Sequence, residues 1–122
     1  MLVRMREAFV HQATVSMTPD ADPAAVGATV TTALCGHWEH EPPCPLAPHH
    51  TSAVRDGDVV HVRMLFACEP EQEAEVRARI HAALAGGRGP LGRADTWVLR
   101  GSGPDDVQES ERAHAGRLAA YQ

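Results

Sequence analysis

The sequence predicts a single α+β domain whose elements run strand, helix, strand, strand, helix, strand, followed by one more helix. Three observations predict it. The chain has 122 residues, the size of one compact domain at roughly 100–200 residues per domain. Its composition, 43% apolar and 22% charged, is that of a chain able to bury a core, not of a disordered, coiled-coil or collagen-like polymer. Segments with apolar side chains at every second position alternate with segments in which they recur every three to four, the two periods of strand and helix.

The first strand lies in residues 6–17, where Phe9, Ala13, Val15 and Met17 keep the odd positions and His11 shares their phase as a core histidine. Asp22 stands ready to cap free amides and Pro23 suits a first helical turn, so a helix runs from residue 23 to about 35 with Val26, Val30, Ala33 and Leu34 as its stripe and Gly36 as its stop. Residues 37–48 hold four prolines and read as an irregular loop. Asp56-Gly57 between two strand-like segments predicts a hairpin. With Arg55 facing Asp58, Ser52 faces His61 and His50 faces Arg63. Val60, Val62, Met64 and Phe66 then point to the helices, while His61, Arg63 and Leu65 point away, with His50 diagonal to His61.

Glu69-Pro70 opens a second helix reaching about residue 85, with Val76, Ile80, Ala83 and Leu84 buried and Glu73–Arg77 and Glu75–Arg79 as four-residue ion pairs. Gly86-Gly87 ends it. Residues 96–100 form a short fourth strand, Gly101-Ser102-Gly103-Pro104 a flexible break, and residues 105–120 a polar helix with the thin stripe Val107, His114, Leu118 and Tyr121. This order is that of a ferredoxin-like βαββαβ plait, a four-stranded antiparallel sheet with helices on one face, plus an extra C-terminal helix. We expect residues 1–103 to form the α+β domain, with a Cys/His-rich loop at 35–50, and residues 104–122 the added helix. The open sheet face calls for a cover, and a second copy of the chain, a homodimer, is the expected one.

Residue usage removes whole mechanisms. All eleven cationic side chains are Arg and there is no Lys, so no Schiff-base nucleophile and no phosphate-loop lysine exists. The formal charge is −5 with the Arg residues scattered, which argues against nucleic acid as a partner. No stretch approaches the ~18 apolar residues of a membrane span, and the first twelve residues lack the apolar core of a secretion signal. A soluble cytoplasmic protein without membrane association is expected.

Chemistry concentrates in one stretch, Cys-Gly-His-Trp-Glu-His-Glu-Pro-Pro-Cys-Pro-Leu-Ala-Pro-His-His, residues 35–50. Six of its 16 positions are Cys or His, against three Cys and eight His in all 122 residues, about four times an even spread. Thiolate and imidazole are the ligands zinc, copper and iron prefer, and proline lowers the ordering cost of the loop that carries them. The expected function is therefore metal binding, zinc with copper or iron as alternatives, through Cys35, His37, His40, Cys44, His49 and His50. The spacing is not that of paired Cys-x-x-Cys knuckles. Four ligands would close a structural site, and three would leave a water position for metal-assisted hydrolysis, hydration or oxidation of a small molecule. Glu39 and Glu41 are candidate partners of a liganding His or solvated loop charges.

His61 and Arg63 are the candidate catalytic pair outside the loop, a proton carrier and a holder of a small anionic ligand, with structural pairing as the alternative. They define a second hypothesis, a cofactor-free small-molecule enzyme in which two plaits pair into a dimeric barrel. A third is a non-enzymatic metal-sensing or partner-binding module that docks through its last helix. A transient Cys35–Cys44 disulfide would leave the four nearby His unexplained. Cys68, His81 and His114 are assigned no site, and Trp38 and Trp97 are read as packing anchors.

Overall fold

A computed structural model describes residues 6–35, 47–89 and 95–120, with the side chain of Cys35 outside the description. The described chain is α+β: β1 (Glu7–Ser16), α1 (Ala24–Cys35), β2 (His49–Asp56), β3 (Val59–Cys68), α2 (Glu73–Gly86), β4 (Val98–Asp105) and α3 (Arg112–Ala120). Short 3-10 turns, Pro70–Gln72 and Glu109–Glu111, lead into α2 and α3. The four strands form one sheet in the order β2-β3-β1-β4, and every neighbouring pair is antiparallel.

Alternation decides which face meets the helices. Ala13 and Val15 of β1 with Val60, Val62, Met64 and Phe66 of β3 point to one side, where Val26, Val30 and Leu34 of α1 and Val76, Ile80 and Leu84 of α2 close over them. At about 1.5–3 kcal/mol for each large side chain removed from water, this layer is the main source of stability. Asp22 caps α1 as expected, its Oδ1 accepting the Ala24 amide at 3.0 Å. Both four-residue ion pairs of α2 form, Arg77 Nε to Glu73 at 2.8 Å and Arg79 to Glu75 at 3.1 Å. Trp97 is a packing anchor: it is buried and its indole N–H donates to Leu84 O at 2.9 Å.

Three local expectations change. The hairpin turns on Gly57-Asp58, with Asp56 opposite Val59. Gly57 has φ +65°, and the first position of a tight two-residue hairpin loop needs that sign. The register therefore moves by two: His50 faces Leu65 and Ser52 faces Arg63, so His50 is diagonal to Arg63 and not to His61. An even shift leaves each side chain on its expected face. Second, Gly101-Ser102-Gly103-Pro104 is not a break but the middle of β4, paired with residues 11–14 of β1. A backbone ladder needs no large side chains, and a proline is tolerated on an edge strand. Third, α3 starts later than residue 105 and lies on the sheet face opposite α1 and α2, where Ala115 packs with Val10 and Leu65, flanked by Ala8, Val107 and Leu118. The far face thus receives a partial cover from the same chain. Beyond α3 it exposes Val54 (65%) and Val98 (57%).

Candidate functional site

The Cys/His-rich stretch joins the end of α1 to the start of β2. His37, His40 and Cys44 lie outside the described residues, as do Trp38, Glu39, Glu41 and the Cys35 side chain. What is described is how the stretch is anchored. His49 Nδ1 lies 3.1 Å from Ala47 O, and a carbonyl only accepts, so Nδ1 carries the proton. Nε2 is then the lone-pair nitrogen, and Thr31 Oγ1 of α1 donates to it at 2.9 Å. Thr31 is one helical turn before Cys35. His50, next along β2, points to the other face, where its ring centre stands 4.8 Å from that of His114 of α3. His49 and His50 are thus separated by the sheet and do not converge on one point. Among the described residues no group of three or more His, Cys, Asp or Glu side chains is set to hold a metal ion.

Arg63 is placed on the far face, as expected, and is fully engaged. Its Nε and Nη2 donate to the two oxygens of Glu111 at 3.1 and 2.8 Å, Nη1 to Asp105 at 2.6 Å, and Nη2 also to Asp106 O at 3.1 Å. This bidentate fork with a second carboxylate is a strong, directional arrangement. It holds both carboxyls below their usual range, the Arg63 hydrogen bond being the largest cause in each, and raises the guanidinium's own affinity for its proton. The pairing ties the turn before α3 to the sheet. His61 is exposed, with Nδ1 3.4 Å from Thr14 Oγ1, so His61 and Arg63 do not share a partner.

A second cluster escaped the sequence reading. Arg77, on α2, donates through Nη1 to Val10 O at 2.8 Å and to Nδ1 of the buried His11 at 3.1 Å. A guanidinium only donates, so the His11 proton is on Nε2 and points to Ser102 Oγ at 3.2 Å. Having accepted there, Ser102 donates to His81 Nδ1 at 2.6 Å. The chain Arg77, His11, Ser102, His81 is therefore directional. His11 is 4% exposed, and burial first, then the positive charge of Arg77 and the proximity of His81, lowers its pKa to about 4. Glu73, Arg77 and His81 recur every four residues on α2, a visible signal, but their partner Ser102 sat in a segment read as a break. Cys68 is buried and its thiol is pushed up to about 11, mainly by burial, which makes it unreactive.

Among the described residues no helix is long and apolar enough to cross a membrane. No family model matches the chain, and no curated protein matches its sequence.

Proposed function

We propose that this chain is a small metal-binding protein in which Cys35, His37, His40, Cys44 and His49 supply the ligands of one ion, zinc with copper or iron as alternatives, on a ferredoxin-like plait. The observation that carries the reading is the state of His49. Its Nδ1–H is held by the Ala47 carbonyl and its Nε2 lone pair is aimed at α1, the tautomer of a metal-ligating imidazole whose far nitrogen is fixed by a backbone carbonyl. That lone pair meets Thr31, which lies four residues, about 6 Å of helix rise, before Cys35 on α1. An ion at this end of α1 would take Nε2 from Thr31. His50, across the sheet, is left out of the set. The plait reading is supported by β3 lying between β1 and β2 in the order β2-β3-β1-β4. A reducing, cytoplasmic compartment belongs to the same proposal because it keeps both thiols available.

Mass-spectrometric metal analysis of protein purified without a nickel column tests it. The wild type should hold about one equivalent more than the H37A/H40A/C44A variant, whose fold should be intact. A difference of less than about one-tenth of an equivalent, before or after metal addition, removes the idea. A homodimer through the far sheet face is the second reading, favoured by the exposed Val54 and Val98 beyond the edge of α3.

A further inference from the structure

His50 belongs to β2 and His114 to α3, 64 positions later in the chain, yet their ring centres are 4.8 Å apart with an interplanar angle of 53°. We propose that these two imidazoles form a separate binding site for a divalent ion of the zinc or copper class, a two-histidine clip joining α3 to the sheet. The distance is the argument. A metal–nitrogen bond of about 2.0–2.1 Å, plus about 1.1 Å from nitrogen to ring centre, puts each ring centre about 3.2 Å from a shared ion. Two such rings stand about 5.2 Å apart at the tetrahedral angle and about 4.5 Å apart at the right angle of a square copper site. The observed separation falls between the two values.

The surroundings suit a partly hydrated ion. The rings border a recess of about 200 Å³ that Ser52, Ser110 and Glu111 also line. At about 30 Å³ per water, it has room for the remaining ligands, with two hydroxyls to hold them. Arg63, which also lines the recess, is already matched by Glu111 and Asp105. The ion would add a coordinate link where α3 otherwise rests on Ala115, its flanking contacts and the Arg63 fork.

The site shares no ligand with the loop centre proposed above, so its test uses the H37A/H40A/C44A variant, in which that centre is already removed. Copper(II) is titrated into this protein, with paramagnetic resonance reporting the number of bound nitrogens and nuclear magnetic resonance reporting which rings broaden. One equivalent with two nitrogen ligands is expected, with broadening centred on His50 and His114. H50Q or H114Q, added singly, should weaken binding at least tenfold, and zinc should displace the copper. Unchanged affinity in both variants, or broadening that starts at any other histidine, overturns the proposal, because a plain aromatic contact between the two rings predicts those results.

Discussion

His11 should make this protein lose stability in mild acid, and the size of the loss follows from its surroundings. The imidazole is neutral in the folded state down to about pH 4, because burial and the neighbouring Arg77 oppose a second proton. In the unfolded chain it titrates near 6.5. Between those values the unfolded state binds a proton that the folded state refuses, so stability falls as pH falls, and the loss is complete just below pH 4. At 1.36 kcal/mol per pKa unit the full effect is about 3 kcal/mol, of which somewhat under half is reached by pH 5.5 and most by pH 4.5. Asp105 and Glu111, whose pKa values are lowered by Arg63, also lose stabilising charge as pH falls, so the measurement must be differential. Urea unfolding of the wild type and of His11→Gln at pH 7.5, 5.5 and 4.5 gives the difference, since the carboxylates are common to both. The wild type should lose about 2–3 kcal/mol more than the variant between pH 7.5 and 4.5. Parallel pH dependences within about 0.5 kcal/mol, or a His11 ring resonance titrating near 6.5, would refute the reasoning.

Three further outcomes are expected. Arg63→Ala removes the fork between β3 and Glu111 and should loosen α3 by about 1 kcal/mol, a roughly fivefold drop in its amide-exchange protection, with little change in the α1 and α2 core; equal loss in both regions would count against a local clamp. Gly87→Ala should destabilise by more than about 1 kcal/mol and shift the Trp97 emission, because Gly87 has φ +68° and an added Cβ would stand 2.5 Å from Trp97 O. Val54→Asp should convert a dimer to a monomer in sedimentation if the part of the far face that α3 leaves exposed is the interface, and an unaltered sedimentation coefficient would exclude that face.

What was legible in the sequence was whatever local periodicity and capping determine. The face assignment of Val60, Val62, Met64 and Phe66 follows from alternation alone, and the stripe Val76, Ile80, Leu84 from helical spacing; both are buried as expected. Asp22 caps α1 and His11 is a core histidine for equally local reasons. The turn was misplaced by one residue because Asp-Gly and Gly-Asp overlap in Asp56-Gly57-Asp58, and pattern alone does not say which pair has the positive φ. β4 was cut short because its lower half is recruited by the β1 ladder and not by its own side chains. The Ser102 cluster and the His50–His114 contact join segments at least 20 residues apart, and no spacing rule reaches that far. Of the six expected metal donors, His49 and His50 are the two whose side chains fall in described residues, and the strand alternation that put them on opposite faces was visible in advance.

Arg63 changes meaning once α3 is in place. As a strand residue on a bare sheet face it is a free guanidinium facing solvent, the natural receptor for a small anion. With α3 docked, the same donors hold both oxygens of Glu111 and one of Asp105 at 2.6–3.1 Å, and an anion arriving there must displace an intramolecular carboxylate that is already bidentate. Anion capture at Arg63 and docking of α3 therefore compete for one cation. Any activity drawing on His61 and Arg63 would have to be coupled to release of the C-terminal helix, whereas the metal centre proposed at the α1 end would sit on the opposite face of the sheet and leave that helix where it is.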